Sequence, residues 1–135
     1  MNKLTVIDFF CGAGGFSEGF RQKGYKIIKG YDNWQPAIDT YNHNFRTGSS
    51  VKNLLDFKDS IEEINLLPNT DVIIGSPPCV SFSSSNISGK ADKGSGVLLT
   101  KIFLRIVAVK KFQKGSILKA WYMENVANSR NYLAD

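Results

Sequence analysis

The sequence predicts an α/β domain with a doubly wound, mainly parallel sheet, because short β-branched runs alternate with segments of helical spacing. The length of 135 residues and the hydrophobic fraction of 42% fit one domain with one core. The predicted strands are Leu4–Asp8, Lys26–Tyr31, Ser50–Leu54, Asp71–Gly75 and Trp121–Glu124. The predicted helices are Gly15–Lys23, Gln35–Asn44, Asp59–Asn65 and Val97–Gln113.

A glycine-rich turn follows the first predicted strand. The apolar run Leu4–Asp8 leads into Cys11–Gly15, and the helix after it carries Phe16 and Phe20 on one face. Glycines allow close backbone approach to a ligand, and a helix N-terminus offers free N–H groups. The spacing lacks both the spaced glycine triplet of dinucleotide sites and the Lys-Ser/Thr of phosphate loops. A cofactor with an amino-acid tail is therefore favoured over a pyrophosphate ligand.

The second predicted strand, Lys26–Tyr31, is followed directly by an acidic residue. Asp32 lies roughly twenty residues after the glycine turn, where such folds place a carboxylate on ribose hydroxyls. Alternatively, Asp32 or Asn33 caps the helix predicted from Gln35 to Asn44. The two roles are compatible.

The predicted strand Asp71–Gly75 is β-branched, and a proline-rich loop follows it. Pro77 and Pro78 stiffen that loop, because proline fixes φ and restricts the residue before it. Cys79 is thereby presented at the carboxyl end of a buried strand, where open α/β sheets place their ligands. The pattern indicates a nucleophilic thiol, and the alternative is a proline-rich turn with an incidental cysteine.

The last predicted strand ends in an acid and an amide, Glu124 and Asn125. A carboxyl group beside an apolar pocket can keep its proton near neutral pH and act as an acid. The alternative is an ordinary surface glutamate. The helix before this strand has apolar residues at helical spacing and basic residues without acids, which predicts an amphipathic helix with a mostly solvated basic face.

Together these segments, in this order, resemble the DNA cytosine-5 methyltransferase family. The stretch from Asp8 to Phe16 is similar to its first cofactor motif, Pro77-Pro78-Cys79 with Ser81-Phe82-Ser83 to its nucleophile motif, and Glu124–Val126 to its acid motif. The resemblance implies an S-adenosylmethionine-dependent methyltransferase fold of the Rossmann-like type. It implies methyl transfer to C5 of cytosine in DNA, in a restriction-modification system.

The resemblance also implies roles for the catalytic residues. Cys79 supplies the thiolate that adds to cytosine C6, and Glu124 holds or protonates cytosine N3. Asn125 orients the site, and the Pro78 carbonyl accepts from the base amino group. The target atom is inaccessible inside a duplex, so the expected substrate is double-stranded DNA with its cytosine flipped out.

S-adenosyl-L-methionine is the cofactor that the resemblance implies, with the methionine half on the glycine turn and the ribose on Asp32. The residues assigned to it are Asp8, Phe9, Phe10, Cys11, Gly12, Ala13, Gly14, Gly15, Asp32, Asn33, Trp34, Asn53 and Pro77. Asn33 stands where the family often has an aromatic residue, so either Trp34 stacks on adenine or the adenine site is altered. Asn53 or Asp56 takes the place of the acid near the adenine amino group.

The chain corresponds to the N-terminal part of the family's catalytic domain. The later motifs and the target-recognition region have no counterpart in residues 1–135, so we expect a sheet incomplete at its C-terminal end. A partner polypeptide carrying the remaining half is one expectation, and an inactive fragment is another. A tRNA cytosine-5 methyltransferase is a further alternative, because a related branch of the family acts on tRNA.

Composition adds general expectations. The net charge of +5 is compatible with a polyanionic partner. Two distant cysteines and one histidine provide no metal-binding spacing, so no metal is expected. The chain shows no signal peptide and no membrane-spanning run, which predicts a cytoplasmic protein without a membrane partner.

Overall fold

A computed structural model of the chain describes residues 2–78 and 93–125, without the side chains of residues 93–95. Its strands are β1 (Thr5–Phe9), β2 (Lys26–Tyr31), β3 (Val72–Gly75) and β4 (Ala120–Met123). Its helices are α1 (Gly15–Gln22), α2 (Gln35–Phe45), α3 (Ile61–Asn65) and α4 (Lys93–Phe112), with a 3₁₀ helix at Leu54–Phe57.

The strands of the described residues form one parallel sheet in the order β2-β1-β3-β4. At the end of β1, Phe9 lies opposite Tyr31 of β2 and Gly75 of β3. Strand β2 lies on one side of β1 and β3 lies on the other. The direction in which successive strands are added to the sheet therefore reverses after β2. This confirms the doubly wound prediction and places a ligand-binding crevice at the carboxyl ends of β1 and β3.

Helices pack on both faces of this sheet, because alternate side chains of each strand point to opposite faces. Val6 of β1 lies in a cluster with Phe16 and Phe20 of α1. Ile7 and Phe9 belong instead to the larger cluster that contains the buried residues of α3 and α4. The two cores therefore fix α1 on one face and α4 on the other, with β1 between them.

The strand predicted at Ser50–Leu54 is wrong. Those residues are irregular up to Asn53, and the 3₁₀ helix Leu54–Phe57 follows. The Asn53 side chain accepts the Leu55 N–H (3.0 Å) and so starts the 3₁₀ helix, while Leu54 and Phe57 are buried in the core. A local capping bond and two anchored side chains outweigh a weak strand propensity here.

The starts of two helices differ from the prediction by two residues or more, and the other two helices differ by one residue at their ends. Helix α3 starts at Ile61 because Ser60 caps it, accepting the Glu63 N–H at 3.1 Å. Helix α4 starts at Lys93, four residues before the predicted Val97.

Among the described side chains of α4, the basic residues are exposed as expected, with one exception. Lys101 and Lys111 are exposed, whereas Lys110 is buried. The Lys110 ammonium donates to the Leu67 carbonyl and to Asn69 Oδ1, both at 2.7 Å. Burial lowers the pKa of Lys110. Within the described part of the chain, no helix is both long enough and apolar enough to cross a membrane.

Strand β4 is the outer strand of the sheet and carries two exposed aromatic rings. Trp121 is 45% exposed and Tyr122 is 51% exposed. On their inner sides, Trp121 meets Phe103 edge-on (6.4 Å between ring centroids) and Tyr122 meets Phe20 (5.7 Å). Among the described strands, β4 pairs only with β3.

Candidate functional site

The turn between β1 and α1 is shaped by residues with positive φ: Phe10 (55°), Gly12 (54°) and Gly14 (105°). The Gly14 N–H donates to the Cys11 carbonyl at 3.0 Å and closes the turn. A Cβ at Gly14 would lie 2.1 Å from Cε2 of Phe45, so this position requires glycine. A Cβ at Gly12 would meet no atom within 4 Å, so the turn backbone is open to a ligand there.

Asp32 joins the glycine turn to the start of α2. Its Oδ2 accepts the Gly12 N–H at 3.0 Å, and its Oδ1 accepts the Trp34 N–H at 3.0 Å. A carboxylate offers about four lone-pair sites, so two remain for a ligand hydroxyl pair. The predicted N-cap role is wrong in detail, because the N-cap residue of α2 is Trp34 and its side chain makes no capping bond.

A cavity of about 160 Å³ lies beside this turn, at the crevice between β1 and β3. It is lined by Phe10, Asn33, Lys52, Asn53, Leu54, Leu55, Pro78 and Leu99. Neither Trp34 nor Asp56 is among the described residues that line it. Trp34 is 64% exposed, and Asp56 forms an ion pair with Lys52 at 3.7 Å. Of the alternatives left open by the sequence, the structure brings Asn33 and Asn53 to the cavity.

The other residues assigned to the cofactor fall into two groups. One group has buried side chains that pack beneath the turn: Asp8, Phe9 and Cys11. Burial raises the pKa of the Cys11 thiol. Ala13 and Gly15 are exposed on the outer side of the turn. Their contact with a ligand in the crevice would therefore be made by backbone atoms.

A buried hydrogen-bonded chain lies under the turn, and two of its members were missed from the sequence. The Ser17 hydroxyl donates to Asp8 Oδ2 at 2.7 Å and lies 2.8 Å from the Tyr41 hydroxyl. Asp8 Oδ1 is buried and has no hydrogen-bond partner among the described residues. Burial raises the pKa of Asp8 to about 7, against the Ser17 hydrogen bond, which lowers it. The only sequence signal was a serine and a tyrosine at apolar-face positions of two helices.

Stability is expected to depend on pH through Asp8. Its pKa is raised in the folded chain, so the folded state holds a proton that the unfolded state loses above about pH 4. The free energy of unfolding is therefore expected to fall between about pH 4 and pH 7, by on the order of 4 kcal/mol, and to level off above.

Urea unfolding of the parent and of Asp8→Asn across this range measures the effect. The variant carries no titrating group at this position, so its curve is expected to lack that fall. Asp71 does not interfere, because the Lys119 hydrogen bond lowers its pKa to about 2, outside the window. Equal pH slopes for the two proteins would contradict the assignment.

The proline loop and the acid segment meet at the end of β3. The Ser76 N–H donates to the Phe9 carbonyl (3.1 Å), and the Glu124 N–H donates to the Gly75 carbonyl (2.9 Å). Pro77 is buried and Pro78 lines the cavity. Cys79 lies outside the described residues. A single backbone hydrogen bond therefore joins the acid segment to the end of β3, the strand that leads to Cys79.

Glu124 is exposed and Asn125 is half-buried. The exposed Glu124 side chain therefore matches the ordinary surface glutamate named as the alternative, and its role as an acid stays a prediction.

A doubly wound sheet, a glycine turn and a strand-end carboxylate beside a cavity define a nucleotide-cofactor-binding α/β domain. The family model for C-5 cytosine-specific DNA methylase matches residues 4–132. The chain belongs to the C-5 cytosine-specific DNA methylase family.

Sequence similarity to three Type II methyltransferases supports this assignment. The chain is 40% identical to the Type II methyltransferase M.HgiGI of Herpetosiphon aurantiacus, over 94% of each chain. It is 40% identical to M.HgiDI of the same organism and 37% identical to M.HindV of Haemophilus influenzae. These two alignments cover 94% and 91% of this chain, but only 38% of each relative.

Solved structures show the same fold. The Entamoeba histolytica methyltransferase EhMeth matches with a TM-score of 0.65 and 26% identity, over 97% of this chain and 40% of that one. The Schizosaccharomyces pombe Dnmt2 methyltransferase matches with a TM-score of 0.64 over 96% of this chain and 36% of that one. At 18% identity, the second match concerns the fold alone.

Proposed function

We propose that this chain forms the cofactor-binding and nucleophile-bearing part of a Type II DNA cytosine-5 methyltransferase. The observation that carries the proposal is the Asp32 carboxylate, which is bonded to the glycine turn at Gly12 beside the cavity lined by Asn33 and Asn53. S-adenosyl-L-methionine is the proposed cofactor. The proposed substrate is double-stranded DNA.

The residues of the crevice fit an adenosyl group. Phe10, Pro78 and Leu99 give the cavity apolar walls, which suit the faces of a purine. Asn33 and Asn53 add amide groups, and an amide can pair with both a donor and an acceptor on an adenine edge. In the proposal Asp32 accepts from the ribose hydroxyls, and the turn backbone holds the amino-acid tail.

The bound cofactor supplies an electrophilic methyl carbon on a sulfonium. Cys79 is the proposed nucleophile: its thiolate forms a bond to cytosine C6, and the ring electrons shift so that C5 becomes nucleophilic. C5 gains the methyl group as the bond between that methyl carbon and the sulfonium sulfur breaks, which leaves a neutral thioether, and the C5 proton then leaves to a base. The Cys79–C6 bond then breaks and the thiolate is restored. A flipped base is needed, because C6 is stacked inside a duplex.

Glu124 is the proposed acid toward cytosine N3, and a proton or hydrogen bond there draws electrons from the ring and favours thiolate addition. Its backbone bond to Gly75 places it at the start of the proline loop. Asn125 is proposed to orient this acid, and the Pro78 carbonyl is proposed to accept from the base amino group.

A second candidate is a cofactor-binding half that transfers methyl groups only with another polypeptide. The exposed rings of Trp121 and Tyr122 on β4, the last strand of the described sheet, favour it. Activity that appears only when the neighbouring reading frame is co-expressed would support this candidate. Full activity of the chain alone would exclude it.

Replacing Asp32 by alanine is expected to weaken S-adenosylmethionine binding by about 10- to 100-fold, because charge-assisted hydrogen bonds are lost. The loss has two sources: the ribose contact, and the Gly12 and Trp34 bonds that place the turn. Calorimetric titration of the parent and the variant measures it. Asp39→Ala is the matched control, since Asp39 is exposed and bonds only Gln35 in its own helix among the described residues.

A folded parent that does not bind, or an Asp32→Ala variant that binds as tightly as the parent, would overturn the proposed cofactor site. A loss of affinity in Asp39→Ala equal to that in Asp32→Ala would show a general charge effect instead.

A further inference from the structure

The buried chain under the glycine turn links three elements of the fold. Asp8 is the penultimate residue of β1, Ser17 lies in α1 and Tyr41 lies in α2, and all three side chains are fully buried. Because Ser17 donates to the Asp8 carboxylate, the Tyr41 hydroxyl is left to donate to the Ser17 oxygen. The chain of donors therefore runs in one direction, from α2 to the end of β1.

The Tyr41 ring also touches both segments of the proposed cofactor site. A Cβ at Gly30, two residues before Asp32, would lie 2.6 Å from the Tyr41 ring. A Cβ at Gly14, in the turn, would lie 3.1 Å from the same ring. The backbone of each segment thus packs directly on Tyr41, and a shift of that ring would move both.

We propose that Ser17 and Tyr41 are positioning residues, which hold the glycine turn in register with Asp32 through their hydrogen-bonded chain to Asp8. The inference rests on the proposed cofactor function of these segments. The position of the turn relative to Asp32 matters because the Gly12 N–H donates to Asp32 Oδ2 at 3.0 Å. This bond joins the segment after β1 to the segment after β2. A turn free to move would lose that bond and the alignment of both ligand contacts.

The hydrogen-bonded chain also affects the pKa of Asp8, which burial raises. The titratable groups that face this carboxyl are Cys11 of the turn, Asp32 after β2 and Tyr41 of α2. The Ser17 hydrogen bond lowers the pKa of Asp8 by favouring its ionised form. Removal of the Ser17 hydroxyl is therefore expected to move the Asp8 titration to higher pH.

The test uses two variants. Ser17→Ala removes the hydroxyl that bonds both Asp8 and Tyr41, and Tyr41→Phe removes one hydroxyl and keeps the ring. Tyr31→Phe is the matched control, because Tyr31 is a buried tyrosine of β2 whose hydroxyl lies outside this chain. Calorimetry measures S-adenosylmethionine affinity. Carbon-13 NMR follows the Asp8 carboxyl with pH, and the amide signals of Gly12 and Gly14 report on the turn without ligand.

Tyr41→Phe, which loses one buried hydrogen bond, is expected to bind about 3- to 10-fold more weakly than the parent, and Ser17→Ala, which loses two, is expected to bind at least as weakly. We also expect displaced Gly12 and Gly14 signals, and an Asp8 midpoint at higher pH in Ser17→Ala. The control should show none of these changes. If Ser17→Ala does not fold, Tyr41→Phe decides through affinity and the amide signals.

Parent-like affinity, turn signals and Asp8 titration in the variants would overturn the positioning role. A folded parent that does not bind S-adenosylmethionine would refute the proposed function instead. The NMR signals of the ligand-free protein would then decide whether the hydrogen bonds among Asp8, Ser17 and Tyr41 keep the glycine turn in place.

Discussion

Replacing Gly14 by alanine is expected to lower the free energy of unfolding by about 3 kcal/mol, through steric overlap and backbone strain together. The new Cβ would lie 2.1 Å from Cε2 of Phe45 and 2.9 Å from Cζ of the same ring. The backbone at Gly14 has a φ of 105°, which L side chains rarely adopt. Urea unfolding followed by circular dichroism measures the change.

Gly12→Ala is the matched control, because Gly12 has a positive φ of 54° but no neighbour that a Cβ would touch. It is expected to cost about 1 kcal/mol, the strain of a left-handed residue alone. A Phe45→Ala background separates the two causes at Gly14. Relief of the overlap should make Gly14→Ala less costly there. Equal costs for Gly14→Ala and Gly12→Ala in the parent would contradict the packing seen around the turn.

Replacing Cys79 by serine is expected to abolish the covalent adduct with duplex DNA that contains 5-fluorocytosine in the presence of S-adenosylmethionine. The fluorine at C5 cannot leave as a proton does, so the step that would restore the thiolate is blocked and the adduct persists. A serine hydroxyl is a far weaker nucleophile at neutral pH than a cysteine thiolate. The adduct is measured as a denaturation-resistant complex on a gel.

Mass spectrometry of the digested parent complex adds an independent assignment. The chain has two cysteines, Cys11 and Cys79, and the nucleotide is expected on the peptide that contains Cys79. Cys11 is buried beneath the turn, where burial raises the pKa of its thiol and opposes reaction. An adduct on Cys11, or one that forms equally well in Cys79→Ser, would contradict the proposed mechanism.

Local sequence signals predicted the elements that position the site. The β-branched runs predicted β1 and β3, and the glycine turn was recognised because it lies between an apolar run and a segment of helical spacing. Asp32 was found by its spacing from the turn, since the connection through α1 and β2 fixes where the carboxyl edge is reached.

Features that depend on packing between distant segments were not predictable in this way. Whether Asn33 or Trp34 faces the cavity depends on how α2 begins, and Asp32 controls that through the Trp34 N–H. Asn53 caps a 3₁₀ helix where the sequence indicated a strand, because burial of Leu54 and Phe57 overrides weak strand propensity. The Asp8–Ser17–Tyr41 chain joins three elements, and no local pattern marks it.

The most direct test of the central claim is nitrogen-15 NMR of the chain titrated with S-adenosylhomocysteine. Saturable shifts of the backbone amide signals are expected at Gly12, Asn33 and Asn53, which lie at the turn and around the cavity beside it. Signals at the opposite end of the sheet, such as Asn69 and Lys114, should stay in place. Saturable shifts centred there, or no shifts in a folded chain, would contradict the claim that this crevice is the cofactor site.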